Sequence, residues 1–92
     1  MNPKVGILSE YVTAAMAHAE YERFEEDGSY GGHVAGCPGV VAFGATREDC
    51  EGSLRSVVED WILFKLKRGV PVPVIDGINL NRDIVYVGLE SV

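Results

Sequence analysis

A single long amphipathic helix is the feature that most limits how this chain can fold. Thr46 supplies a capping hydroxyl, and Asp49 follows it by three residues, as in a capping box. Gly69 suits a left-handed helix terminus, and Pro71 prevents the helix from resuming. Acidic residues lie in the first turn and basic residues in the last, which suits the helix dipole. These signals predict a helix over residues 47–68.

The apolar residues of this helix form one stripe that widens at its C-terminal end. The stripe, which should cover a sheet, consists of Cys50, Leu54, Val57, Val58, Trp61 and Ile62. The last turns add Leu63, Phe64 and Leu66, which is more apolar surface than one sheet face requires. Either other parts of the chain wrap this end or another molecule packs on it, and the short remaining chain favours the second. Trp61 fits a core position and a binding hot spot equally well.

Three short strand candidates precede the long helix and are joined by turn signals. They cover residues 20–27, 29–35 and 40–44. Asp27-Gly28 marks the first turn, and Pro38-Gly39 suits a type II turn at the second. Three strands joined by two tight turns predict an antiparallel meander.

Two further elements are predicted at the ends of the chain. Ser9 offers an N-cap to a short helix that runs to about His18. Residues 84–89 are β-branched and aromatic, so they predict a strand that pairs with the meander or lies at a subunit boundary. The sequence therefore predicts one α+β domain over residues 1–92: a three-stranded antiparallel meander with a long helix packed on it, plus a short N-terminal helix and a C-terminal strand.

The charge balance limits the classes of partner. Eight Lys and Arg residues against fourteen Asp and Glu residues give a net charge of −6, which argues against direct nucleic-acid binding. The acidity either serves solubility or favours a basic partner. No segment approaches the ~20 apolar residues of a membrane span, and no signal peptide is evident, so we expect a cytoplasmic location. Cys37 and Cys50 lack zinc-motif spacing and favour two buried thiols over a disulfide.

Catalytic patterns are weak throughout the sequence. Carboxylates are densest between Glu20 and Asp27 and could hold a divalent metal, but strand alternation separates them, and a solvated strand edge explains them better. His33 could act as a general base, yet no nucleophile or acid is spaced to partner it. We therefore expect no enzymatic activity, no cofactor and no bound metal.

A set of positions in fixed order spans residues 11–77. It includes Tyr11, Met16, Tyr21-Glu22, Asp27-Gly28, Tyr30, Pro38-Gly39-Val40, Ala42, Gly44, Thr46, Cys50, Leu54, Glu59, Trp61-Ile62, Gly69, Pro71, Pro73 and Ile75-Asp76-Gly77. Their order and spacing resemble the short HicB-like proteins, which are related to the antitoxins of HicA–HicB toxin–antitoxin modules.

The resemblance implies a degenerate ribonuclease H-like fold and a homo-oligomer, either a dimer or a tetramer. It also implies that the chain neutralises a HicA-type toxin, a small basic RNA-cleaving protein, by covering its surface. Ribonuclease H activity does not carry over, because that superfamily needs an acidic residue inside the first strand, where this chain has Arg23 and Phe24.

One departure from the HicB pattern concerns DNA binding. Only residues 78–92 follow the last matching position, too few for a helix-turn-helix, so we expect no separate DNA-binding domain. Two alternatives to toxin neutralisation remain: an orphan oligomerisation or scaffold domain, and a residual metal-dependent nuclease. The residues expected at a partner or oligomer interface are Trp61, Leu63, Phe64, Leu66 and Tyr86.

Overall fold

The computed structural model describes residues 3–80, with side chains described from Gly6 onward. In chain order its elements are α1 (Pro3–Ala17), β1 (Ala19–Arg23), β2 (Tyr30–Val34), β3 (Val41–Gly44) and α2 (Arg47–Arg68). An α+β fold with a three-stranded antiparallel sheet and a long helix is thus confirmed. The ribonuclease H-like relationship stays a prediction, and the strand predicted over residues 84–89, with Tyr86, lies outside the described residues.

Helix α2 has the bounds and caps that the sequence predicts. The Thr46 hydroxyl oxygen accepts a hydrogen bond from the Asp49 backbone N–H at 3.0 Å. Gly69 closes the helix with φ of +68°, and the Val70 N–H donates to the Lys65 carbonyl at 2.9 Å. Local hydrogen bonds therefore fix both ends of α2, and the residue types at Thr46 and Gly69 are enough to predict them.

Helix α1 begins earlier than predicted. Ser9 is an exposed residue inside the helix and not its N-cap. The helix extends back to Pro3, whose fixed φ suits a first turn. Ile7 and Leu8 are partly buried against the core and continue the helical stripe whose later members include Tyr11, Val12 and Ala15. This apolar stripe outweighs the capping preference of one serine.

The sheet has the order β1-β2-β3, but its first hairpin differs from the predicted one. Strand β1 ends at Arg23 and not at Asp27, so the Asp27-Gly28 pair lies in a wider loop. The Phe24 N–H donates to the Ser29 carbonyl at 2.8 Å. Asp27 Oδ1 accepts from the Ser29 N–H at 3.0 Å and from its hydroxyl at 2.7 Å. These side-chain bonds stabilise a turn that the strand pattern alone does not predict.

The second turn and the segment after α2 are also tightly bonded. Gly39 has φ of +86° and the Val40 N–H donates to the Cys37 carbonyl at 3.2 Å, which confirms the predicted turn. Asp76 and Gly77 both have positive φ, so they form a two-residue turn of the I′ kind between Ile75 and Ile78.

The core lies on one side of the sheet, between the sheet, α1 and α2. The segment after α2 closes it, with Val72, Ile75 and Leu80 buried. The buried Tyr11 donates its hydroxyl proton to the Pro73 carbonyl at 2.7 Å, which ties α1 to this segment. Cys37 and Cys50 are both buried and free, as predicted. Across residues 3–80, no helix combines the length and apolarity that crossing a bilayer requires.

Candidate protein-binding surfaces

Strand β3 turns its large side chains away from the core. Ala42 and Gly44 face α2, whereas Val41 and Phe43 point outward and are 53% and 65% exposed. Antiparallel sheets with one solvated face normally place polar residues on that face. The outward aromatic and aliphatic residues of β3 therefore form an exposed apolar surface where polar residues would be usual.

The cause of this arrangement is the close approach of α2. A Cβ atom on Gly44 would collide with the backbone nitrogen of Cys50, and one on Gly32 would lie 3.1 Å from the Cys50 sulfur. Only small residues fit between the sheet and the helix at these positions. Because strand side chains alternate, the large residues of β3 must then lie on the opposite face.

The face of the sheet opposite α2 is called here the open sheet face. It comprises Glu20, Glu22, Phe24, Gly31, His33, Val41 and Phe43. The strand register arranges six of these residues in two rows: Glu22, Gly31 and Phe43 form one, and Glu20, His33 and Val41 form the other. Each row thus begins with a glutamate on β1 and ends with a large apolar residue on β3.

An aromatic pair lies at the centre of the open sheet face. The rings of Phe24 and Phe43 have centroids 6.3 Å apart and are tilted by 33°. Both rings cover Gly31, where a Cβ would lie 2.8 Å from Phe24 Cζ. The missing side chain at Gly31 is what allows the two rings to meet across the middle strand.

The electrostatics of the open sheet face are acidic. Glu20 contacts His33, with Oε1 to Nε2 at 3.1 Å, while Glu22 has no ion pair among the described residues. No Lys or Arg of β1, β2 or β3 points to this face, since Arg23 alternates with Glu22. On the opposite side, the Arg47 guanidinium lies 4.5 Å from the centroid of the Tyr21 ring.

A second surface, called here the helix-end surface, consists of the predicted interface residues of α2. The structure divides them: Trp61 and Leu66 are partly buried against the core, whereas Leu63 and Phe64 are 52% and 56% exposed. The chain therefore covers part of this end itself and leaves two large side chains in solvent. The fifth predicted interface residue, Tyr86, lies outside the described range.

Cations border the helix-end surface. Lys65 Nζ lies 5.1 Å from the centroid of the Trp61 ring. The Arg68 guanidinium lies 4.7 Å from the centroid of the Phe64 ring. With Lys67 in the same turn, the last turn of α2 is basic, whereas Leu63 lies beside the acidic residues Glu59 and Asp60.

The candidate reactive groups are scattered or bonded locally. Burial raises the pKa of the Cys37 and Cys50 thiols, which disfavours the nucleophilic thiolate. Hydrogen bonds from Ser29 lower the pKa of the Asp27 carboxyl. His18 Nε2 lies 3.0 Å from Asp76 Oδ1 at the surface. Within residues 3–80, no three His, Cys, Asp or Glu side chains are grouped so that they could hold a metal ion.

Phe24, Val41 and Phe43 are not among the interface residues that the sequence predicts. A usable signal exists in residues 41–44, where Val and Phe alternate with Ala and Gly. Small residues at every second position indicate the side on which another backbone comes close. The large residues between them are then expected on the free face.

These features define a class: a small α+β protein with a helix on one face of its sheet and exposed apolar surfaces suited to protein contacts. The chain belongs to the UPF0150-like family, whose model matches residues 10–73. It is also similar to the crystal structure of TTHA0281 from Thermus thermophilus, with 39% sequence identity and a TM-score of 0.73. That match covers 80% of this chain and 91% of TTHA0281. No curated protein sequence matches the chain. Family membership is consistent with a small protein of the toxin–antitoxin type.

Proposed function

We propose that this protein is an antitoxin-like binding module that neutralises a HicA-type RNA-cleaving toxin by covering its surface. The observation that carries the proposal is the cluster of Phe24, Val41 and Phe43 on the open sheet face, in which Phe43 is 65% exposed. An exposed apolar cluster bordered by charged residues is typical of a protein-interaction site. The net charge of −6 suits a basic toxin, and the HicB-like resemblance supplies the toxin class.

We further propose that the protein acts without catalysis, in the cytoplasm. Support comes from the raised pKa of both thiols and from the separation of the acidic residues. Glu20 and Glu22 lie on the open sheet face, whereas Asp27 is bonded within its own turn. A residual nuclease that depends on these carboxylates has no support in this arrangement.

The test is reconstitution with a small basic HicA-type protein, taken from the neighbouring gene if one is encoded there. Mixing the two purified proteins should give a stable complex by size-exclusion chromatography and should suppress RNA cleavage at equimolar ratio. The absence of a complex at micromolar concentrations would overturn the proposal. Cleavage by the toxin alone, measured in the same buffer, is the necessary reference.

A second candidate function is self-association as an orphan oligomerisation domain. The specific observation in its favour is the pair Leu63 and Phe64, each more than half exposed on α2. A dimer or tetramer without any toxin partner would fit this surface. Light scattering of the protein alone, together with the reconstitution above, separates the two functions.

A further inference from the structure

We propose that the open sheet face is the surface that receives the partner, and that it does so by binding an arginine side chain over Phe43 and against Glu22. This inference rests on the proposed function, because it assigns the partner-binding site and the chemistry that it recognises. It also implies that the helix-end surface does not bind that partner.

The register places the two recognition groups in one row. Glu22 pairs with Gly31 on β2, and Gly31 pairs with Phe43 on β3. Neighbouring strands are ~4.8 Å apart, so the backbones of Glu22 and Phe43 are separated by about 10 Å. The side chains of an incoming arginine and of Glu22 together can bridge that distance. Because the Phe24 and Phe43 rings both cover Gly31, the arginine would lie on top of these rings with its guanidinium directed to Glu22.

The chemistry of this row favours arginine over other side chains. A guanidinium is planar, stacks on aromatic rings and can donate two parallel hydrogen bonds to a carboxylate. The chain itself shows the stacking component twice, with Arg47 over Tyr21 at 4.5 Å and Arg68 over Phe64 at 4.7 Å. Phe43 has no such partner among the described residues, although it is the more exposed ring.

The charges on this face leave Glu22 available for the partner. Glu20 contacts His33 at 3.1 Å, whereas Glu22 has no ion pair within residues 3–80. No Lys or Arg of the three strands points to this face, so a cationic partner meets no repulsion from them. The last turn of α2 is the reverse case, since Lys65, Lys67 and Arg68 would repel a basic protein.

The first experiment measures toxin affinity with matched pairs of variants. Phe43→Ser should weaken binding about thirtyfold, as loss of a hot-spot aromatic residue does. Glu22→Gln should weaken it about tenfold and reduce its salt dependence. The controls are Phe64→Ser and Glu59→Gln, exposed residues of α2 that should leave affinity within about twofold. Weakening by Phe64→Ser without weakening by Phe43→Ser overturns the proposal.

The second experiment does not need the toxin, so it decides the inference even if the proposed function fails. The ¹⁵N-labelled full chain is titrated with a strand-forming peptide in which arginine alternates with valine. The same peptide is then used with lysine or glutamate in place of arginine. We expect amide shifts in Glu22, Gly31 and Phe43, largest for arginine and absent for glutamate. Shifts confined to the end of α2, or no shifts at all, overturn the proposal.

The competing occupants of the open sheet face give distinct results in these measurements. If a second copy of the chain occupies it, Phe43→Ser lowers the mass of the protein alone by light scattering, and the proposal is overturned. If residues 81–92 of the same chain occupy it, they give nuclear Overhauser contacts to the Phe43 ring, which overturns it equally. A monodisperse mass that Phe43→Ser leaves unchanged, with arginine-specific shifts, supports it.

Discussion

The close contact between β3 and α2 predicts opposite effects for two glycine-to-alanine substitutions. Gly44→Ala places a methyl group against the backbone of α2, where Asp49 C and Cys50 Cα would lie at 2.8 Å and Cys50 N closer still. Gly52→Ala adds the same methyl group to an exposed position of α2, with no atom within 4 Å. The pair therefore compares identical chemistry in a crowded and an open site.

The expected magnitudes follow from these surroundings. To relieve the Gly44→Ala clash, α2 must move until the distance from the new Cβ to Asp49 C and Cys50 Cα rises from 2.8 Å to an ordinary contact of at least 3.4 Å. Backbone cannot yield as a flexible side chain does, so we expect a loss of about 3 kcal/mol, the upper end of typical overpacking costs. A domain of this size has ~5–14 kcal/mol in total. Gly52→Ala should instead add about 0.8–1 kcal/mol, because alanine is the better helix former.

The assay is urea unfolding followed by far-ultraviolet circular dichroism and by the fluorescence of Trp61, the single tryptophan. With a slope of ~1.5 kcal/mol per molar urea, the midpoint should fall by about 2 M for Gly44→Ala and rise by about 0.6 M for Gly52→Ala. A Gly44→Ala midpoint equal to that of the wild type would refute the reasoning, because α2 would then not lie against β3 as described.

Three further predictions concern the core, the thiols and the helix-end surface. Tyr11→Phe removes the hydroxyl that donates to the Pro73 carbonyl and should cost about 1 kcal/mol, or ~4–8 °C in Tm, whereas Tyr30→Phe serves as the control. Burial raises the pKa of the Cys37 thiol above its ordinary value of 9.0, so the folded state holds this proton more tightly than the unfolded state does. The stability of the fold is therefore unaffected by this group below pH 9 and decreases as the pH rises from 9 through the folded-state pKa. The urea midpoint should fall above pH 9, and less so in Cys37→Ala; an equal fall in both would contradict this. Phe64→Asp should weaken self-association at least about tenfold by light scattering without unfolding the monomer, and an unchanged mass would remove the helix-end surface as an oligomer contact.

The parts of the fold that the sequence predicted are those fixed by local chemistry. The bounds of α2 depend on one hydroxyl at Thr46 and one left-handed glycine at Gly69, each acting within four residues. The Pro38-Gly39 turn is equally local. Such features are independent of what packs against them, so residue type suffices to identify them.

The parts that the sequence did not predict depend on contacts between distant segments. Helix α1 extends past Ser9 because Ile7 and Leu8 pack against a core that other elements provide. The exposure of Phe43 follows from the approach of Cys50 to Gly44, and no local pattern around Phe43 specifies that approach. At the helix-end surface, Leu63 and Phe64 are exposed, and their role as interface residues stays a prediction. Leu66 is partly covered by the core, which periodicity along α2 alone does not indicate.

The outward position of Phe43 separates the requirements of folding from those of binding. A side chain that is 65% exposed transfers little apolar area out of water when the chain folds. Most of its hydrophobic free energy therefore remains available to a partner that covers it. Glu22 likewise contributes little to the stability of the fold, because its carboxylate forms no ion pair within residues 3–80. The same carboxylate can pair with an incoming cation. Replacing Glu22 should consequently alter partner affinity while leaving the urea midpoint nearly unchanged. Replacing Phe43 also removes its contact with the Phe24 ring, so its midpoint should fall by up to about 1 M, less than for Gly44→Ala, which affects folding first.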